Sequence, residues 1–190
     1  MKIIAHRGNL NGPDPARENT IEQAEKCFAL GFDVELDAWH IDGNMFLGHD
    51  EPNTKIDPMW ILRPNHKLWL HWKNTDGLLW AMYGFEFLLN PIFSNYFMHD
   101  NEPFVETTSG AYWLYPGTPI TDDMLSAPAI VACLPELAPD WDTSQATHIC
   151  TDYPIMYREK YMRTVSQLYD VPAPRLYHFC TCVGLESYHF

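Results

Sequence analysis

Glu35 and Asp37 lie two residues apart in the apolar run Phe32 to Trp39. Two strand rises would separate them by about 7 Å along one face, where two carboxylates repel unless a cation or a proton lies between them. A hard divalent metal resolves that conflict; the alternative is a sheet edge where both acids are solvated. His6 stands beside Arg7, and His49 beside Asp50, so two imidazoles could flank the acidic pair. Imidazole passes protons near neutrality with little adjustment, which suits general acid and base work. The forked donors of Arg7 suit a phosphate oxygen. Taken singly, each histidine also reads as a hydrogen-bonded structural side chain.

These residues need strands to aim them. Ile3 to His6 reads as a first strand, left by a loop rich in Asn, Gly, Pro and Asp over Asn9 to Pro15. Asn19 or Thr20 caps a helix with apolar positions Ile21, Ala24, Cys27 and Phe28, and Gly31 closes it. Phe32 to Trp39 follows, with Asp33, Glu35 and Asp37 on one face and Val34, Leu36 and Ala38 on the other. A turn at Ile41 to Asn44 leads to a return strand, Met45 to Gly48. Later strand-like runs are Leu68–Lys73, Tyr96–His99, Ala111–Tyr115, Ala129–Leu134 and His148–Asp152, and the best later helices are Asp76–Phe85 and Ile155–Tyr169. No repeat or linker divides the chain, so residues 1–190 read as a single domain.

Parallel strands ending in polar residues predict an α/β fold, a shortened or incomplete (β/α)8 TIM barrel. Eight strand–helix units in this length would have about 24 residues each, against a norm of roughly 250 for the whole barrel, so some crossover helices must shrink to loops.

Composition narrows the function. The 190 residues are 46% hydrophobic with a formal net charge of −13, enough apolar matter for a core and the wrong sign for nucleic acid or an anionic membrane. No apolar run suits a bilayer span, so membrane insertion is not expected. Five cysteines at uneven spacing do not read as a disulfide framework, and the β-like start leaves no room for a signal peptide; both suggest a cytoplasmic protein. Self-association is left open.

Four linked motifs, His6-Arg7-Gly8, Arg17-Glu18-Asn19-Thr20, Glu35-Leu36-Asp37 and Gly48-His49-Asp50-Glu51-Pro52, together resemble the glycerophosphodiester phosphodiesterases of the phosphatidylinositol-phospholipase-C-like barrel superfamily. The likeness is close over about the first 52 residues and returns at Thr151-Asp152-Tyr153-Pro154, which is similar to the family's last barrel strand. It implies a metal-dependent phosphodiester hydrolase acting on a glycerophosphodiester. His6 and His49 would be the acid–base pair, Glu35 and Asp37 the ligands of Mg2+ or Ca2+, and Arg7 and Lys73 the phosphate contacts. On the third strand the family presents Glu-x-Lys, whereas this chain has His71-Trp72-Lys73. His71 can ligate the metal, hydrogen-bond a metal-bound water, or fill space. As a ligand it shifts preference toward Mn2+ or Zn2+, while Asp100, Glu102 or Asp152 can instead supply the lost carboxylate. The alternative function is a catalytically impaired barrel retained as a ligand- or metal-binding accessory module.

Three further features carry less. Glu18 reads as the acidic first turn of the following helix, or as a partner that orients the loop. The stretches Tyr96 to Glu102 and Tyr112 to Gly117 could line a substrate mouth, their aromatics stacking on a sugar or head group, but large side chains at strand ends are more often core or rim packing. Cys180 and Cys182, near His178 and His189, lack the two-residue gap of common zinc knuckles.

Overall fold

The computed structural model describes residues 1–62, 66–83, 95–100 and 102–169, with side chains described to residue 162. Ten strands form one curled sheet of mixed direction. Its spine is a run of parallel strands: β1 (Lys2–Ala5), β2 (Asp33–Ile41), β5 (Leu68–Trp72), β6 (Asn95–Phe97), β8 (Tyr112–Leu114), β9 (Ile130–Cys133) and β10 (His148–Thr151). The spatial order is β6, β5, β2, β1, β10, β9, β8, each parallel to its neighbour. This mixed α/β arrangement is compatible with an incomplete barrel, and its helices are few. No ladder joins β6 to β8 among the described residues. There Thr108 alone reaches across, its amide donating to the Tyr96 carbonyl at 3.1 Å and its hydroxyl accepting from the Tyr96 amide at 3.2 Å.

The nine residues of β2 outrun β1, which pairs only with Asp33 and Val34. The freed edge, Ala38 to Ile41, pairs antiparallel with β3 (Asn44–Leu47), and β3 in turn with β4 (Thr54–Ile56). A β-arm thus projects beyond the C-terminal end of the parallel strands. A second antiparallel strand, β7 (Phe104–Glu106), pairs with β8. Neither β4 nor β7 was anticipated from the sequence; both are three-residue strands, too short for an alternation signal.

The helices that do form follow local rules. α1 (Ile21–Ala29) is capped by Thr20, whose hydroxyl accepts from the Gln23 amide at 3.3 Å, and it buries Ala24 and Cys27. α2 (Pro58–Ile61) is a single turn capped by Asp57, and α3 (Thr75–Tyr83) and α4 (Pro154–Tyr169) follow β5 and β10. α3 matches the expected helix as far as Tyr83, while residues 84 and 85 lie outside the described residues. Val34, Leu36, Ala38, Leu68, Leu70 and Trp72 form an outer core with residues of α1, α2 and α3. On the far side, Leu114, Met124 and Ile130 pack together under a 3-10 turn, Asp122–Ser126, where a helix would otherwise stand. Among the described residues no α-helix stands between β6 and β8, β8 and β9 or β9 and β10, so the expected loss of crossover helices falls along that side.

The opposite faces of the same strands fill the interior in layers, as alternation requires. Ile4, Trp69, Phe97, Trp113, Val131, Cys133 and Cys150 belong to one buried cluster. One step further along several of these strands come His6, Asp37, His71, His99, Tyr115 and Asp152, all at the C-terminal end.

Candidate metal and acid–base site

Glu35 and Asp37 are 2% and 1% exposed, so the reading of a solvated strand edge fails for both. Their register partners on β5 are Trp69 and His71, and His71 is also buried. Glu35, Asp37 and His71 each offer a ligand atom within 4.8 Å of the others, the only such group of three or more His, Cys, Asp or Glu among the described residues. His71 Nδ1 lies 3.0 Å from Asp37 Oδ1, and its Nε2 is buried without a partner. Two buried carboxylates and an imidazole with a stranded nitrogen form a donor set that fits a divalent cation, with a leaning toward ions that accept nitrogen.

The loop after β1 wraps this cluster. Arg7 adopts a left-handed conformation, φ 52°, which turns its amide to donate to Glu35 Oε2 at 2.9 Å. A bulky side chain in that region costs energy, so the surrounding bonds must hold it there. The Arg7 guanidinium lies 3.3 Å from Glu18 and 3.4 Å from Asp37. Lys73 approaches Asp37 at 3.6 Å, and Asn19 brackets it, donating to Oδ2 at 3.0 Å and accepting the Asp37 amide at 2.9 Å. Asp37 is thereby surrounded by positive charge and donors. Burial works against its ionised form, but the His71 bond, Lys73 and Asn19 outweigh it and hold the carboxyl well below the usual range. Glu35 goes the other way: burial and the neighbouring Asp37 charge push it up, against His6, His71 and the Arg7 amide.

His6 is clamped between acids. Its Nδ1 lies 2.8 Å from Asp152 Oδ1 and its Nε2 4.0 Å from Glu35. Burial disfavours the charged ring, yet the Asp152 hydrogen bond and the Glu35 charge raise its pKa to about 9. Asp152 is itself shared, accepting from Asn9 at 2.9 Å, and Asn9 also reaches Glu18 at 3.2 Å. Four carboxylates, Glu18, Glu35, Asp37 and Asp152, thus face two permanent cations, Arg7 and Lys73.

No family model, curated protein or solved structure matches the chain. The chemistry of the site must therefore be read from its own geometry.

His49 sits on the β-arm rather than in the cluster. Its Nδ1 bonds Asp50 at 2.7 Å, and its side chain is 35% exposed. It lines a cleft of about 430 Å³ whose other wall includes Glu18 and Asn19, the residues that touch Arg7 and Asp37. The loop is registered on β2, since the Gly48 amide donates to the Asp37 carbonyl at 3.2 Å and the Gly48 carbonyl accepts from Trp39 Nε1 at 2.6 Å. Gly48 is required, because a Cβ there would run into the Glu51 carbonyl oxygen.

Three sequence expectations change. Glu18 is not in a first helical turn, since α1 begins at Ile21; it tethers Arg7 and Asn9 and so orients the loop. Asp152 does not join the carboxylate cluster as a replacement ligand but serves His6. Asp100 and Glu102 are exposed and outside the cluster, bonded to each other through the Asp100 amide. Cys180, Cys182, His178 and His189 lie outside the described residues.

The sequence places Asn9 in a polar loop, Asn19 at a helix cap and in the motif Arg17 to Thr20, and His99 at the end of a strand-like run, without showing that they frame the site. The two asparagines are 1% and 3% exposed. His99 stacks on His71 with ring centroids 4.6 Å apart and on Tyr115 at 4.0 Å, so the aromatic strand ends pack against the cluster itself.

Proposed function

We propose that this chain is a short, divergent glycerophosphodiester phosphodiesterase-like hydrolase, its sheet an incomplete (β/α)8 barrel, acting on a phosphodiester at the Glu35–Asp37–His71 cluster. The observation that carries this reading is the convergence of those three side chains with His6 at the C-terminal end of the parallel strands, where barrel enzymes place their chemistry. Three of the four motifs that resemble the family meet there, and the fourth, Gly48 to Pro52, lies beside them on the β-arm, tied by the Gly48 amide to the Asp37 carbonyl.

Glu35, Asp37 and His71 would hold the divalent cation, Mg2+ or Ca2+ on the family pattern and Mn2+ or Zn2+ on the strength of the imidazole. When bound, such an ion supplies charge neutralisation at phosphate oxygens and acidification of bound water. The protein's own groups do the rest. Asp152 fixes the His6 ring through Nδ1, leaving Nε2 on the cluster side to deliver a proton to the leaving oxygen. His49, with Nδ1 held by Asp50, faces the cleft as the proton acceptor for the attacking hydroxyl or water. Arg7 and Lys73 lie at ion-pair distance from Asp37 and would turn part of their charge to the phosphate.

Hydrolysis of glycerophosphocholine and of a chromogenic phosphodiester, measured with each metal and after chelation, tests the reading. Metal-dependent turnover lost in His6→Ala supports it; no turnover with any metal overturns it. One observation favours a second reading, a metal- or ligand-binding module: no bond links the exposed His49 to the cluster, as an acid–base partner would require once substrate is bound. Metal binding without turnover is its signature.

A further inference from the structure

We propose that Glu136 is the positioning residue for the His6–Asp152 pair. The inference rests on the proton-donor role given to His6 above. Glu136 lies on a 3-10 turn, Pro135–Leu137, directly after β9, and Oε1 of its side chain reaches across to the end of β10. There it accepts the Thr151 hydroxyl at 2.9 Å and the Asp152 amide at 3.2 Å. The Thr151 hydroxyl in turn accepts the Tyr153 amide at 3.0 Å. On the other side the Asp152 carbonyl accepts the Gly12 amide at 2.8 Å. The Asp152 backbone is thus tied at both its amide and its carbonyl, and the carboxylate it carries is the one that orients His6 at 2.8 Å.

Two local costs accompany the tether. Leu134, which precedes the turn, is left-handed at φ 49°, ψ 52°, a conformation that L side chains rarely adopt and that persists when neighbouring contacts enforce it. Its amide is nonetheless bonded to the Cys150 carbonyl at 2.7 Å, so the bend starts on the β9–β10 ladder and swings Glu136 over β10. The other carboxylate oxygen, Glu136 Oε2, is buried without a partner, a penalty that an exposed rotamer would avoid. The bonds through Oε1 help to offset both. Because those bonds need an acceptor and not a charge, the amide of glutamine would replace the carboxylate, whereas aspartate, one methylene shorter, would fall short of β10.

Imidazole N–H resonances of the full chain, recorded with nitrogen-15 labelling, read this directly and need no substrate. In the wild type the His6 Nδ1–H, shielded from solvent and bonded to Asp152, gives a resolved, slowly exchanging signal. Glu136→Gln keeps that signal, while Glu136→Asp and Glu136→Ala broaden it or speed its exchange by at least tenfold with the remaining spectrum folded. If Glu136→Ala does not fold, the contrast between Gln and Asp decides. An unchanged signal in the Asp variant, or its loss in a folded Gln variant, overturns the proposal. Where turnover is measurable, Glu136→Asp lowers kcat about tenfold to a hundredfold with KM little changed, and Glu136→Gln restores it. Absence of turnover in the wild type counts against the hydrolase reading alone, since the resonance still reports on the tether.

Discussion

His71 Nδ1 and Asp37 Oδ1 are 3.0 Å apart across the β2–β5 ladder, on residues that are direct register partners. An imidazole therefore occupies the place beside the acidic pair where a third carboxylate would complete an all-oxygen site. If the cluster holds a cation as proposed, that imidazole would set its ion preference. His71→Glu should weaken Mn2+ or Zn2+ binding about tenfold or more and strengthen Mg2+ and Ca2+, read by titration calorimetry. An unchanged order of affinities would place His71 outside the coordination sphere.

Glu35 and Asp37 should respond oppositely to neutralisation in metal-free protein. Asp37 anchors Arg7, Lys73 and His71, so Asp37→Asn leaves the partly exposed Arg7 and Lys73 charges without their shared partner and should cost about 2 kcal/mol in urea unfolding. Burial and a like charge disfavour the ionised form of Glu35, so Glu35→Gln should cost far less or stabilise, by about 1 kcal/mol, while abolishing metal binding. Equal destabilisation by both would contradict the asymmetry.

Metal-free stability should also fall on the alkaline side. The folded His6 pKa, about 9, exceeds its ordinary value of 6.5, so the folded state binds its proton more tightly. That contribution is complete below pH 6.5 and is lost as pH rises through about 9. Asp152 is shifted down by the same pairing, despite opposing burial, so its share is present above 3.8 and disappears in acid. Urea midpoints across this range should show an alkaline decline that His6→Gln flattens.

Gly48→Ala should separate His49 from the cluster. The added Cβ meets the Glu51 carbonyl and forces the loop off its bond to Asp37, at a cost of roughly 1–3 kcal/mol. Metal affinity should persist in this variant while turnover falls to the level of His49→Ala. Retained turnover would show that His49 is not the proton acceptor.

The residues of the site were more legible than its wiring. Alternation in Phe32 to Trp39 placed Glu35 and Asp37 on one face because the side-chain period of a strand is fixed, and the same rule aligned His71 with Lys73. It gave no sign that this face points inward. A buried run of acids contradicts the usual burial order, and only the counter-charges brought by the β1 loop and β5 make it tolerable. Those counter-charges are Arg7 and Lys73, and the bonds that frame them, Asn19 to Asp37, Asn9 to Asp152 and His6 to Asp152, span 18, 143 and 146 residues of sequence, where no local pattern speaks. The β-arm was half visible, as a turn and return strand, but that β2 continues past β1 to support it depends on which edge is left free.

Among the described residues no ladder joins β6 to β8, which leaves a seam in the curled sheet. Along the rest of the spine a ladder resists widening, whereas here Thr108 is a two-bond clasp, and beside it the seam is packed by rings, Phe97 against Trp113 at 4.6 Å and His99 against Tyr115 at 4.0 Å between centroids. Enlarging the mouth to admit a bulkier ligand would therefore unzip at Thr108 first, leaving the β1–β2–β5 wall with its acids in register.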